Sequence, residues 1–293
     1  MGCNASSASS TTATVTSSPP MTATFEPHVS VFNSAGDMCV AAETLITELA
    51  QDKQKEKKLL SLALSGGSTP KVLYRQLRER HESLMASSVH FLFGDVRMVP
   101  DASSDSNFSM AFEALLHAVP AEHITKIATT DITAEDSAAN FEAVLRSAAL
   151  GLSMLSDGVD EVGCPQIDVV LLGVGPDGHT ASLFPTTPAS QETQRLVVSC
   201  MPNVGVSPYV ERVTVTRRVI QAAKHVVVLA TGKDKGWVLD GILADSEALA
   251  KELAPEGVFA PPVARLLRGC KGHVHVLVDT SLAQASKLCP AKS

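Results

Sequence analysis

The feature that most constrains the fold is a repeated junction, in which a short apolar run stops at a polar turn rich in glycine. Its fullest form is Asp168 to Pro185, DVVLLGVGPDGHTASLFP. There Val169 to Leu172 gives way at Gly173 to a turn carrying Asp177 and His179, before Leu183 and Phe184 resume. Such a run reads as a strand buried on both faces, as in a parallel sheet, and its carboxyl end delivers polar groups into a crevice. The same junction recurs at Leu59 to Leu64 followed by SGGSTP, at Val89 to Phe93 followed by GDVR, and at Val226 to Ala230 followed by TGKDK.

Between these runs lie helical patterns. One runs from about Asp37, a plausible cap, to Lys57, and a second carries Val72, Leu73 and Leu77. Others span roughly Ser106 to His117, Ala134 to Leu152, Gly236 to Leu243 and Ser246 to Leu253. Further short strands are expected near His28 to Phe32, Ile124 to Ala128, Leu196 to Cys200 and His273 to Val278. Ser153 to Gln166 reads as a loop, and the alternating ERVTVT reads as a half-exposed strand with Arg212 near one end. Parallel strands with intervening helices imply one three-layered α/β domain with a mostly parallel sheet.

Residues 1 to 24 stand apart. They are mostly Ser, Thr and Ala, a composition that buries too little apolar surface to offset the entropy of ordering, so a disordered leader is expected before a single domain from 25 to 293. The leader opens MGCNAS, which fits the myristoylation pattern with Gly2 as acceptor, and Cys3 stands where a second acyl chain could attach. One chain gives marginal membrane binding and two give an anchor. Attachment through an acylated amino terminus is therefore carried alongside a cytoplasmic location. Ser286, Lys287 and Leu288 form a peroxisomal tripeptide, but such a signal must be terminal and five residues follow it.

Composition excludes several classes. With 293 residues, 45% of them hydrophobic, the chain can build a sizeable core. A formal charge of −7 argues against nucleic-acid binding through general basicity, which leaves a local cationic pocket for a small anion. No apolar run reaches the ~20 residues of a membrane span. The six cysteines contain no CxxC pair, which suits reduced thiols better than a disulfide framework or a zinc site. His273 and His275 share one strand face, but with no third ligand in view they read as a partly buried pair rather than a metal site.

The strand ends suggest chemistry. A strand, a glycine turn and a helix start at Ser65 to Pro70 aim free backbone N–H groups at an anion on the positive end of the helix dipole. Ser65, Gly66, Gly67, Ser68 and Thr69 are therefore candidate anion ligands, with Arg212 and Lys235 as candidate cations. His179 is the one histidine in a glycine-rich strand-end loop and so the candidate general base, histidine being the side chain that exchanges protons near neutral pH. Asp177 and Asp95 are both candidates to orient it or to bind hydroxyls, and spacing alone leaves that choice open. Arg97 is the candidate to stabilise an oxyanion or a carboxylate, a charge-assisted role that lysine fills less well.

These blocks together carry a resemblance. SGGSTP, FGDVRMVP with Ser106 and Asn107, LGVGPDGHTASLFP, RVT at Arg212 to Thr214 and GKDK at Gly232 to Lys235 resemble, in order, the 6-phosphogluconolactonase family. The resemblance runs from about residue 27 to 280. It implies hydrolysis of 6-phospho-D-glucono-1,5-lactone to 6-phosphogluconate, the second step of the oxidative pentose phosphate pathway, with no metal and no organic cofactor. It also implies the Rossmann-like fold shared with glucosamine-6-phosphate deaminase. One departure is Val96, where the family often carries Glu. Glucosamine-6-phosphate deaminases read DEY at the second motif and Asn-Glu-Pro after the third, so Arg97 and Leu183 to Pro185 favour the lactonase. A sugar-phosphate sensor would carry an appended domain, and a membrane scaffold would not explain polar residues gathered at strand ends.

Overall fold

A computed structural model describes residues 27–244 and 260–288. Gly2, Cys3, the leader and the helix expected over 246–253 lie outside the described residues. In chain order the elements are β1 (His28–Phe32), α1 (Ala35–Lys55), β2 (Leu60–Leu64), α2 (Ser68–Ser88), β3 (Val89–Phe93), β4 (Asp95–Arg97) and α3 (Asn107–Ala114). There follow α4 (Ala134–Arg146), β5 (Ser153–Leu155), β6 (Cys164–Gln166), β7 (Val169–Gly173), α5 (Pro188–Gln191), β8 (Val197–Cys200) and β9 (Arg212–Val215). The chain continues through α6 (Arg217–Ala222), β10 (His225–Ala230), α7 (Gly236–Leu243), α8 (Pro262–Leu267), β11 (His273–Asp279) and α9 (Thr280–Ala285).

Six strands form the central sheet in the order β1-β11-β10-β7-β2-β3, and every neighbouring pair is parallel. β2 and most of β7 are buried throughout, as continuous apolar runs require when helices cover both faces. Helices α1 and α2 pack on each other and on the sheet, while α7, α8 and α9 form a second layer. Leu62, Leu64, Phe91, Leu171 and Val228 lie in the contiguous core between them. From β2 the chain proceeds outward to β3; from β7 it proceeds the other way, to β10 and β11. The crevice between β2 and β7 is thus the topological switch point, where open α/β sheets hold ligands beyond their carboxyl ends.

Several expectations are corrected. Asp95 and Arg97 do not sit in a loop; they form β4, which joins β9 and β8 in a separate antiparallel sheet in the order β4-β9-β8. All four β9 residues are buried, not half exposed, because α4 and α6 also pack against that strand. The Ser153 to Gln166 stretch contains the antiparallel hairpin β5-β6. Ile124 makes a single bridge to Phe91, so no strand develops over 124–128. The long helix ends at Arg146, short of Leu152, and a 3-10 turn follows at Ala148–Leu150. The cap of α1 is Ser34, whose hydroxyl accepts from the Asp37 N–H at 3.1 Å; Asp37 lies inside the first turn.

No helix among the described residues is long and apolar enough to cross a membrane. The parallel register also brings His28 and His225 to His273 and His275. Even so, among the described residues no group of three or more His, Cys, Asp or Glu is arranged to hold a metal ion.

Candidate functional site

A cavity of about 260 Å³ opens at the switch point, lined by the 65–69 turn, Asp95, Arg97, Asn107, Gly173 to Gly175, His179, Ala181, Arg212, Thr231 and Lys235. Every candidate catalytic or anion-binding residue named from the sequence lines it except Asp177, which sits behind His179 and faces a neighbouring pocket beside Trp237.

His179 is held by its own turn. Its Nδ1 lies 2.5 Å from the Asp177 Oδ1, which also accepts from the His179 backbone N–H at 3.2 Å. Burial opposes the charge on Asp177, but the bonds to His179 outweigh it and keep the carboxyl below its usual pKa. An ionised Asp177 accepts at Nδ1, which fixes the tautomer and leaves Nε2 as the free ring nitrogen. Gly175 makes the closure feasible: a Cβ there would lie 2.2 Å from the imidazole Cε1 and Nδ1 and 2.8 Å from the Asp177 Oδ1. No side chain larger than glycine could share that space.

The 65–69 turn leads into α2. Gly67 takes φ 110°, which L residues rarely adopt, and no side chain caps the helix. Its first N–H groups therefore remain available to an anion. Ser65 has a different part. Its hydroxyl accepts from the Gly173 N–H at 3.3 Å and donates to the Gly66 carbonyl at 3.2 Å, while its backbone is clasped by the buried Tyr74 hydroxyl. It ties β2 to β7. Thr69 faces Thr231 across the cavity, hydroxyl to hydroxyl at 3.5 Å.

The cations come from β4, β9 and the turn after β10. In the antiparallel register Arg97 lies directly opposite Arg212, an arrangement of like charges that is unfavourable in a ladder. Arg97 donates from Nη1 to the Asp105 carbonyl at 3.0 Å and to its carboxylate at 3.2 Å. Arg212, 5% exposed, donates from Nη2 to the Pro208 carbonyl at 3.0 Å. The Nε of each is buried and has no hydrogen-bond partner among the described residues. Burial first, then the charge of Arg97, pulls Arg212 below its ordinary pKa against the pull of Asp95. Lys235 donates to the Thr231 carbonyl at 3.0 Å and meets the exposed Asp234 at 3.2 Å.

Asp95 is buried and structurally committed. It accepts from the Ser182 hydroxyl at 2.7 Å, and Asn107 donates to its carbonyl at 3.0 Å. Of the two carboxylates, Asp177 is therefore the one bonded to the imidazole, while that of Asp95 is held by Ser182. Sequence reasoning overlooked Thr231 and Ala181. Asn107, which appeared there only as part of a motif, packs so closely on Gly66 that a Cβ at that glycine would lie 2.3 Å from its Oδ1.

The sheet order and the crevice at its switch point first define a class, the Rossmann-like α/β proteins that hold small ligands beyond the carboxyl ends of their strands. Within it, the chain belongs to the glucosamine-6-phosphate isomerases/6-phosphogluconolactonase family, whose model matches residues 33–272. It is similar to the 6-phosphogluconolactonase of Nostoc sp., 37% identical over 215 residues that cover 73% of this chain and 82% of that protein. A solved 6-phosphogluconolactonase from Trypanosoma brucei superposes with a TM-score of 0.76 at 39% identity, covering 89% of this chain and 98% of that one. A monomeric glucosamine-6-phosphate deaminase superposes with a TM-score of 0.66 at 18% identity, covering 88% of this chain and 99% of that one; the likeness there is of fold alone.

Proposed function

We propose that this chain hydrolyses 6-phospho-D-glucono-1,5-lactone to 6-phospho-D-gluconate, as the second step of the oxidative pentose phosphate pathway. Membership of the family and the names borne by its relatives support a lactone hydrolase. The observation that carries the reading is a meeting of two devices around one cavity. One is an Asp–His couple that leaves Nε2 free; the other is a pair of facing arginines with unpartnered Nε donors.

In this reading the phosphate rests on the Ser65 to Thr69 turn at the start of α2 and is drawn by Arg212 and Lys235. That remote anchor holds the ring so that a water sits between His179 and the lactone carbonyl. Nε2 takes a proton as the water attacks. The charge that develops on the carbonyl oxygen is met by Arg97. The ring C–O bond then breaks, and His179 returns the proton to the departing ring oxygen, restoring itself and leaving a hydroxyl and a carboxylic acid, which releases its remaining proton to solvent to become the carboxylate. Asp177 holds the imidazole in the required tautomer and offsets the transient imidazolium. Asp95 braces the wall behind Arg97. No step calls for a metal or an organic cofactor.

The test is a direct assay with freshly generated lactone, corrected for spontaneous hydrolysis. Turnover by the wild-type chain is expected, and a rate no faster than the blank would end the proposal. The same reading takes residues 25 to 293 as one domain acting in the cytoplasm. Acylation at Gly2 and Cys3 rests on sequence pattern only, and mass spectrometry of the native amino terminus decides it: an unmodified Gly2 rules it out.

A further inference from the structure

Phe184 is fully buried, yet of the largest fully buried side chains among the described residues it is the one outside the contiguous hydrophobic core. Its neighbour Leu183 belongs to that core. The Phe184 ring packs elsewhere. Its centroid lies 4.5 Å from that of the His179 imidazole, at an interplanar angle of 44°. The Arg212 guanidinium carbon also sits over the ring, 5.7 Å from its centroid, within the ~6 Å over which an aromatic face attracts a cation. Phe184 itself is absent from the cavity wall. One apolar ring therefore touches two polar groups of the cavity without reaching the cavity.

We propose that Phe184 is a positioning residue that sets the His179 imidazole and the Arg212 guanidinium relative to each other. The inference rests on the lactonase reading for its kinetic form, but not for its geometry. Arg212 is buried, and among the described residues its Nε has no partner while Nη2 donates to the Pro208 carbonyl. A guanidinium so poorly tethered needs a surface to lie on, and the face of Phe184 offers one that favours positive charge. The imidazole is tied at Nδ1 by Asp177, which fixes one nitrogen but leaves the tilt of the ring to packing. Phe184 supplies that packing.

The backbone that presents Phe184 is held at several points. The Thr180 hydroxyl donates to the Gly173 carbonyl at 2.8 Å, and the Leu183 N–H to the Thr180 carbonyl at 3.0 Å. The Ser182 N–H donates to the Thr214 hydroxyl at 3.2 Å and its hydroxyl to Asp95 at 2.7 Å. On either side Ala181 and Thr186 take φ of 48° and 61°, left-handed values that cost a non-glycine residue and persist only where the surroundings impose them. Thr214 and Arg212 share β9, and Asp95 and Arg97 share β4. The turn carrying the ring is thus fastened to the same two strands that carry the arginines.

The test compares Phe184→Leu and Phe184→Met with Phe91→Leu, which removes a buried core ring that does not line the cavity. All three are expected to lose stability. Only the Phe184 variants are expected to raise KM, by roughly twofold to thirtyfold, and to lower kcat by about tenfold or more through loss of imidazole alignment. In a double-mutant cycle, Phe184→Leu is expected to add little to the KM of Arg212→Ala, since the ring acts on substrate through Arg212. Kinetic constants within twofold of wild type, constants matching those of Phe91→Leu, or additive KM effects would overturn the proposal. A readout free of turnover is the proton spectrum of the wild-type chain. The His179 ring protons are expected to carry ring-current shifts and cross-relaxation to Phe184, and unshifted protons with no cross-relaxation would overturn the proposal even if no variant folds. Wild-type chain that fails to open the lactone yet keeps these signals sinks the lactonase reading and leaves the positioning role standing.

Discussion

The two ends of the β2–β7 strand pair treat charge in opposite ways. At the amino end the buried Asp168 accepts from the Ser61 N–H at 3.0 Å and the Ser61 hydroxyl at 2.9 Å. Lys53 and Lys224 close on its other oxygen at 2.7 and 2.8 Å. Burial opposes the Asp168 charge, but the two lysines and Ser61 outweigh it and hold its pKa below the usual carboxylate value. At the carboxyl end Ser65 again links β2 to β7, through the Gly173 N–H, yet the nearby arginines face each other with buried donors left bare. A buried charge is tolerated where its bonds are complete, and costs stability where they are not. The first end holds the sheet together; the second keeps donors for a ligand.

That contrast breaks if mutations at the two ends behave alike. The largest effect is expected from His179→Ala, which should lower kcat by about 10²- to 10⁴-fold while leaving the melting temperature and the binding of 6-phosphogluconate nearly unchanged. An active His179→Ala enzyme would remove the carboxyl end's chemistry from this residue. Next comes Arg212→Ala, expected to raise KM by roughly tenfold to a hundredfold, the worth of a hydrogen bond to a charged group, with a smaller change in kcat. A fall in kcat at constant KM would place Arg212 on the reacting carbonyl instead of the phosphate. At the amino end Asp168→Asn should do the reverse. Leaving the partners of a buried carboxylate incompletely satisfied costs about 1–3 kcal/mol, read by denaturant titration, with kcat and KM as in wild type. Impaired catalysis with unchanged stability would erase the distinction.

The central sheet is legible in the sequence because each strand is a short apolar run closed by a turn: β1 and β3 match their expected ranges, and β2, β7, β10 and β11 match to within a residue. What escapes is the second sheet. β4 is three residues long and polar at both ends, and its partner β9 follows more than a hundred residues later, so nothing local announces their antiparallel pairing. For the same reason Arg97 and Arg212 can be singled out individually as cations, while their placement directly opposite one another requires the register. The alternation of ERVTVT correctly suggests a strand but misjudges burial, because period two reports two different faces and α4 and α6 also contact β9. The Asp177–His179 couple is local, two residues apart around a glycine turn, and so could be suspected from sequence. Which of Asp177 and Asp95 reaches the imidazole could not, since Asp95 is turned to Ser182 and Asn107 by contacts distant in the chain.

The smallest expected effect sharpens the amino end further. His225 Nδ1 and His275 Nε2 lie 3.3 Å apart, and the His225 ring stacks on His273 and His275 with centroids 5.1 and 5.5 Å away. His28 meets His275 edge to face at 6.3 Å. Burial first, then the neighbouring imidazoles, pushes the His275 pKa down to about 4. Burial and His273 likewise lower that of His225, with Lys224 acting in the same sense and Asp168 against it. A histidine depressed on folding binds its proton more readily in the unfolded chain, whose reference lies at about 6.5. Its contribution to stability is therefore complete above that value and is lost as pH falls through the window toward the folded pKa of about 4. Asp168 works lower: its contribution is complete above the usual carboxylate pKa and is lost as pH falls from there toward its depressed folded value. Melting temperature should thus decline between about pH 6.5 and 4.5 before the paired carboxylates enter. His275→Asn should flatten that decline, while His179→Ala at the opposite end should leave it in place. A wild-type melting temperature that is level across this interval would show that His225 and His275 carry no pH-dependent part of the fold's stability, and a slope unaltered in His275→Asn would remove His275 from it.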